Sequence, residues 1–190
     1  MGTDYTTDTV EHDYPVIRPE GSDGEDVGAI HALTAEAFAT ADHTSGTEAA
    51  IIDALRDAEA LTLSLVAVHA GRIVGHVAAS PVTLDPPAEG WYGLGPMSVH
   101  PEFQRQGIGS ALVKAVVDAL VDLEATGAVL LGEPSLYQRF GFAEREGLTM
   151  AGLDPDNSAY FQALRLDGGG AGAASYPQAV VTYHPGFDAT

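Results

Sequence analysis

The apolar positions of the chain recur with two different periods, which together predict a succession of strands and helices. A spacing of three and four residues continues for four turns over residues 108–123, and this is the clearest helical signal. Two shorter helical stretches follow predicted capping boxes at residues 22–25 and 45–48. Valine-rich runs at residues 63–69 and 72–84, broken by an Ala-Gly pair, predict a β-hairpin.

The remaining predicted elements surround the long helix. A short first strand is predicted at residues 16–18. In a central strand at residues 92–99, two glycines and a proline indicate a bulge or a close backbone approach. The unalternated apolar run at residues 128–131 is typical of a strand buried on both faces. Three elements complete the predicted α/β fold: a short helix at 134–140 and a last pair of strands at 160–166 and 179–183.

Length and composition are those of one soluble domain. The chain has 190 residues, of which 45% are hydrophobic, so it can build a core. Residues 1–15 are polar, acidic and aperiodic, and we expect them to form a disordered arm. Residues 16–187 are expected to form one domain. The N-terminus has no basic region followed by an apolar one, so we expect a cytoplasmic location.

The charge excludes several classes of function. Acidic residues number 27 against 8 basic ones, a formal net charge of −19, which would repel nucleic acid and anionic membranes. The absence of cysteine excludes thiolate zinc sites and cysteine nucleophiles, and the histidines lack metal-ligand spacing, so no metal is expected. Lys114 is the only lysine, a composition that resembles proteins of salt-accumulating halophiles, although an acidic protein of an ordinary cell stays an alternative.

The segment that points to a ligand is the glycine-rich turn between the central strand and the long helix. It reads Gln104-x-x-Gly107-x-Gly109 and leads directly into the helix N-terminus. Free amides and the helix dipole make such a turn an anion site, and glycines permit close approach of a phosphate. The turn lacks the lysine and the spacing of a P-loop. From spacing alone, both phosphate binding and a plain tight turn stay open.

This loop, preceded by Val99-x-Pro101, resembles the acyl-CoA pyrophosphate loop of the GNAT acetyltransferases. The order of predicted elements over residues 16–183 agrees with that family. Residues 94–99 and 132–142 resemble its YhbS-like branch, which often carries a segment G-D-P-x-x-Y-x-R-F-G-F. Glu133 replaces the aspartate of that segment here, and residues 183–187 also resemble the ending of the branch.

The resemblance implies a GNAT fold, a mixed sheet flanked by helices whose two central parallel strands splay apart. It implies acetyl-CoA as co-substrate and a primary amine, small or on a protein, as the acceptor that attacks the acetyl group directly. The pantetheine arm would pair with the freed strand edge, and a backbone N–H there would polarise the thioester carbonyl. The implied cofactor-binding residues are Met97, Ser98, Val99, Gln104, Arg105, Gln106, Gly107, Ile108, Gly109, Ser110, Tyr137 and Phe140.

Tyr137 matches the family tyrosine that protonates the departing CoA thiolate. A phenol stays protonated at neutral pH and can donate to a developing thiolate. The alternative is that Tyr137 only packs beside Phe140. Glu89 and Glu133 are candidate bases for the acceptor amine, although each is also readable as a solvated acid. His76, on the predicted hairpin, is interpreted as a packed polar residue rather than as a base.

Two functions of other classes stay open from the sequence. A non-catalytic acyl-CoA sensor would keep the 104–109 loop and tolerate loss of Tyr137, and a structural interaction domain would bind no acyl-CoA. The acidic surface favours cationic acceptors, but halophilic acidity would look the same. A homodimer is possible through an exposed C-terminal strand.

Overall fold

The computed structural model describes residues 14–22, 24–39, 46–167 and 176–190, which contain two sheets and four α-helices. The helices are α1 (Glu25–Phe38), α2 (Glu48–Asp57), α3 (Ile108–Asp122) and α4 (Pro134–Tyr137). The strands are β1 (Val16–Pro19), β2 (Leu63–His69), β3 (Arg72–Pro81), β4 (Thr83–Asp85), β5 (Trp91–Val99), β6 (Gly127–Leu131), β7 (Leu148–Met150), β8 (Phe161–Arg165) and β9 (Ala179–Thr182).

The larger sheet is mixed. Its six strands follow the order β1-β2-β3-β5-β6-β8, in which β5 and β6 are parallel and the other neighbours antiparallel. The parallel pair arises because α3 carries the chain back across the sheet, as a strand–helix–strand crossover requires. A smaller three-stranded sheet has the order β4-β9-β7.

The two central strands splay apart. Strands β5 and β6 pair at only three positions, the last being Gly93 with Val129. Residues 94–99 of β5 continue without a strand partner on that side among the described residues, while the other side stays paired with β3. The register shifts between Val77 and Ala79, so that Gly95 and Pro96 form a bulge opposite one residue of β3. The splayed arrangement and the GNAT fold implied by the resemblance are confirmed.

Helices cover both faces of this sheet and place the core there. Helix α3 packs closely on β3, because Gly75 has no side chain and a Cβ there would lie 2.9 Å from the Leu112 Cδ1. On the opposite face Ile30 of α1 and Ile52 of α2 bury against Val66. The apolar pattern predicted a helix at 108–123, and α3 ends one residue earlier, at Asp122. The prediction was accurate because the apolar stripe is continuous over four turns.

Helix α1 does not begin as predicted. Its N-cap is Gly24, which has a φ of 80° and makes no side-chain capping hydrogen bond. The predicted capping box at residues 22–25 is therefore wrong, because a left-handed glycine starts the helix instead. Thr47 is the N-cap of α2, also without a side-chain cap. Ser45, the first residue of the other predicted box, lies outside the described residues.

Two predicted strand assignments also change, and one strand was missed. The run at 72–84 divides into β3 and β4, which belong to different sheets, and the short strand β7 was not predicted. The last two strands do not pair with each other: β8 lies beside β6, and β9 lies between β4 and β7. Because β9 has a neighbour on each side, it offers no free edge for the dimer that the sequence suggested.

Most of the predicted disordered arm lies outside the described residues. Its described end contacts the domain, since the Tyr14 hydroxyl donates a hydrogen bond to the Gln106 carbonyl oxygen at 3.4 Å. No helix within the described residues is long and apolar enough to span a bilayer.

Candidate active site

Two adjoining cavities open where β5 and β6 separate. The first has a volume of about 490 Å³ and lies against the N-terminus of α3. The second has a volume of about 600 Å³ and extends towards α1 and α2. The two cavities adjoin, and we refer to them together as the channel. Six residues line both of them: Met97, Val99, Gln104, Val113, Leu136 and Tyr137.

The turn before α3 forms one end of the first cavity. Arg105 and Gly107 adopt positive φ values of 60° and 88°, and Gly107 is the N-cap of the helix. The Ala111 amide makes the first helical bond, to the Gly107 carbonyl oxygen, so the preceding amides are left for a ligand. The Gln104 side chain donates to the Val99 carbonyl oxygen at 3.1 Å and ties the turn to the end of β5.

The structure brings most of the implied cofactor residues to this channel. Ser98 lines the second cavity, while Gln106 and Ile108 line neither: Ile108 buries its side chain in the core and Gln106 is exposed. Arg139 also lines the first cavity. The implied residues that line the first cavity are Met97, Val99, Gln104, Arg105, Gly107, Gly109, Ser110, Tyr137 and Phe140.

Tyr137 lies at the junction of the two cavities. Its ring rests on Gly132, where an added Cβ would come within 2.6 Å of the ring carbon Cε2. The ring also meets Phe142 edge-on, with centroids 6.2 Å apart. Burial raises the pKa of the Tyr137 hydroxyl, so it remains a protonated donor at neutral pH. The same ring thus packs on the core and lines the channel.

A second tyrosine, Tyr183, approaches the junction from the other side, and the sequence analysis assigned it no role. Its ring lies on Gly93, where an added Cβ would come within 2.4 Å of the ring carbon Cε1. Its hydroxyl oxygen is buried and has no hydrogen-bond partner among the described residues. Burial, reinforced by the neighbouring Tyr137, raises the pKa of Tyr183. The only feature of the sequence that singled out Tyr183 is that it begins the segment 183–187, which resembles the ending of the YhbS-like branch.

The two acidic candidates differ in whether they line the channel. Glu133 is exposed and lines the second cavity. Glu89 is exposed, lines neither cavity and precedes β5 at its paired end, away from the splay. Glu48, at the start of α2, also lines the second cavity, and no feature of the sequence distinguished it from the other acids.

His76 is fully buried away from both cavities, which agrees with its interpretation as a packed polar residue. Its Nε2 lies 2.9 Å from the Ser64 hydroxyl, which in turn hydrogen-bonds the Glu20 carboxylate. Burial, with a contribution from Arg56, lowers the pKa of His76 to about 3, so it is neutral at physiological pH. No group of three His, Asp or Glu side chains within the described part of the chain is arranged to hold a metal.

Comparisons with known proteins agree with this geometry. The model of the acetyltransferase (GNAT) family matches residues 27–142. The chain is 32% identical to the uncharacterized N-acetyltransferase YhbS of Escherichia coli K12 over 164 residues, which cover 86% of this chain and 93% of that protein. The chain therefore belongs to the GNAT family and is an N-acetyltransferase.

Two solved structures share both fold and sequence with the chain. One is a GNAT family acetyltransferase from Brucella melitensis in complex with acetyl-CoA, 40% identical with a TM-score of 0.76, covering 93% of this chain and 100% of that one. The other is E. coli YhbS in complex with CoA, 32% identical with a TM-score of 0.78, covering 92% of each chain.

Proposed function

We propose that this acetyltransferase transfers the acetyl group of acetyl-CoA directly to a primary amine, both substrates being bound at once in the channel. The observation that carries the proposal is that the two cavities adjoin at Tyr137 along the unpaired edge of β5, the first of them against the α3 N-terminus. Relatives crystallised with acetyl-CoA and with CoA support the identity of the acetyl donor.

The first cavity suits the pyrophosphate of acetyl-CoA. The amides of the turn and of the first turn of α3 bind phosphate oxygens without adding a charged side chain, and the helix dipole favours an anion there. Arg105 and Arg139 supply the two cations that line this cavity. The pantetheine arm then extends along residues 94–99, whose backbone groups face the splay.

Tyr137 is the proton donor in the proposed reaction. The neutral amine nitrogen attacks the acetyl carbon, a C–N bond forms, and the C–S bond breaks with its electron pair moving to sulfur. The Tyr137 hydroxyl gives its proton to that thiolate, while the nitrogen loses one proton and becomes an amide. The released proton restores the tyrosine through solvent, so a free thiol and an acetylated amine are the products.

Glu133 is the residue that we assign to the first deprotonation. An amine that enters as an ammonium ion must lose a proton before its lone pair can attack. Glu133 is the exposed carboxylate on the wall of the second cavity, and it can pass that proton to solvent. Glu89 has no place in this scheme, because it lies outside the channel.

The test begins with calorimetric titration of acetyl-CoA, in about 2 M KCl to screen the acidic surface. We expect micromolar binding that Gly107→Val abolishes, because the side chain would strain the positive φ and obstruct the phosphate site. The matched control is Gly71→Val, which places the same strain (φ 76°) in the β2–β3 turn with open space around it. Equal loss of binding in both variants, or no binding by folded wild-type protein, would contradict the proposal.

A further inference from the structure

We infer that the second cavity selects a primary amine carried on an apolar body that bears no anionic group. This inference rests on the proposed function and names the substrate class of the same site. Alkylamines and arylalkylamines belong to the class, whereas amino acids with the same side chains do not. Four features of the cavity lead to it.

The first feature is the distribution of cations. All eight arginines and lysines lie within the described residues, and none lines the second cavity. Two line the first cavity, and Lys114 is exposed on α3. The remaining five have partners elsewhere: Arg18 binds Asp26, Arg56 binds Glu20, Arg72 meets His100, Arg145 binds backbone carbonyls and Arg165 binds Asp167. A carboxylate or phosphate on the acceptor would find no side-chain cation there.

The second feature is negative charge on the cavity wall. Glu48 and Glu133 both line it, from the start of α2 and from the segment after β6. Phe38 is the last residue of α1 and lines the same cavity, so the negative end of that helix dipole also lies there. These groups attract an ammonium ion and repel a carboxylate or another anionic group on the acceptor.

The third feature is the apolar surface between the charged groups. Aromatic and aliphatic side chains from many separate parts of the chain meet there, and they suit a hydrocarbon or aromatic body rather than a polyhydroxylated one. The volume of about 600 Å³ leaves room for such a body beside the acetyl group. The larger of these side chains that line the second cavity but not the first include Phe38, Ile51, Leu131, Met150 and Phe187.

The fourth feature is the buried hydroxyl of Tyr183. It has no hydrogen-bond partner among the described residues and belongs to a tyrosine that lines the cavity next to Tyr137. A buried polar atom left without a partner is costly, so a ligand group that hydrogen-bonds to it gains affinity. Because the oxygen itself is covered in this structure, it accepts an N–H from an incoming amine once the Tyr183 ring shifts towards the cavity.

Matched pairs of acceptors test the inference. The panel contains phenethylamine with phenylalanine, and isoamylamine with leucine, each pair differing by one carboxylate; spermidine is a cation without a compact apolar body. Thiol release from acetyl-CoA is measured together with mass spectrometry of the product. We expect kcat/KM for each amine to exceed that of its amino acid by at least about 100-fold, since like charges repel strongly in a partly dehydrated site.

Variants connect the preference to the residues named. Glu48→Gln is expected to raise the KM for phenethylamine about tenfold without changing the KM for acetyl-CoA, while Glu144→Gln, an exposed acid outside both cavities, changes neither. Tyr183→Phe is expected to raise the same KM, since it removes only the hydroxyl. If neither variant changes the amine KM, the assignment of these residues is overturned.

The remaining outcomes separate the inference from the proposed function. Equal transfer to both members of each pair, or transfer to spermidine alone, overturns the substrate class while acetyl transfer stands. Transfer to no member of the panel and to no lysine peptide, by protein that binds acetyl-CoA calorimetrically, overturns the proposed function and the inference with it.

Discussion

The two ends of the channel differ in how they recognise charge. The end beside α3 offers backbone amides, a helix N-terminus, Arg105 and Arg139, whereas the end beside α1 and α2 offers Glu48, Glu133 and no cation. Tyr137 stands between them. In a chain with a net charge of −19, two of eight basic residues are placed where an anionic donor would bind. In the proposed reaction, the sign of the charge on each cavity wall, rather than the overall charge of the protein, discriminates between the two substrates.

Removal of the Tyr137 hydroxyl should have the largest effect. Tyr137→Phe keeps the ring that packs on Gly132 and Phe142 but removes the proton for the thiolate. We expect kcat to fall by roughly 10²–10⁴-fold while acetyl-CoA still binds. Stopped assays of thiol release and calorimetry measure the two quantities. A variant with wild-type kcat would show that a group other than the Tyr137 hydroxyl protonates the thiolate.

Displacing the Tyr137 ring without removing its hydroxyl should lower kcat somewhat less than the Tyr137→Phe substitution does. In Gly132→Ala the new methyl group would meet the Tyr137 ring at 2.6 Å, so the ring must move. We expect a loss of about 10²-fold in kcat, the size of effect that a misplaced catalytic group produces. Gly28→Ala on α1, which meets no atom within 4 Å, is the control for an added methyl. Thermal unfolding of both variants separates misplacement from lost stability, and unchanged kcat in a folded Gly132→Ala protein would contradict the role of the ring position.

Neutralising one cation in the first cavity should weaken the binding of acetyl-CoA and leave the binding of the amine unchanged. Arg139→Gln is expected to raise the KM for acetyl-CoA about tenfold and to leave the amine KM unchanged, because a charge-assisted contact to phosphate is lost. Lys114→Gln removes the same charge from an exposed position on α3 that lines neither cavity. An equal effect of both substitutions would mean that general charge, and not the cavity wall, attracts the donor.

The pH dependence should be the smallest and most specific effect. A general acid works only while protonated, so activity falls as pH rises through its pKa. Because burial raises the pKa of Tyr137, the alkaline limb of kcat should lie above pH 10, the ordinary value for a phenol. The profile is measured with an amine acceptor of low pKa, so that its own titration is complete below pH 9. A limb near pH 8 would assign the proton donor to another group.

Local sequence patterns were enough to predict the helix and the glycine-rich turn at one end of the channel. The helix at Ile108–Asp122 follows from its apolar periodicity. The glycines of the turn at 104–109 indicated a candidate anion site before the fold was known, with a plain tight turn as the alternative. Tyr137 needed the resemblance to a family, because spacing alone equally suits an aromatic that only packs in the core.

The acceptor end could not be predicted in the same way. Its wall collects residues from α1, α2, β7 and the C-terminal segment, whose meeting depends on the whole fold. Position along the chain did not separate Glu48, which lines the channel, from Glu89, which does not. The strand β9 was likewise predicted as an element but assigned the wrong neighbours, since its partners lie far from it in sequence.

By itself, the sequence determined most of the α/β elements, the glycine-rich turn before α3 and the acidic charge, because each depends on residues that are close together along the chain or on composition alone. Only the tertiary structure decided that β5 and β6 separate after Gly93, and that Gly93 and Gly132 receive the rings of Tyr183 and Tyr137. It also decided which carboxylates face the channel. These outcomes depend on contacts between distant segments, and such contacts follow from packing and sheet pairing rather than from local periodicity.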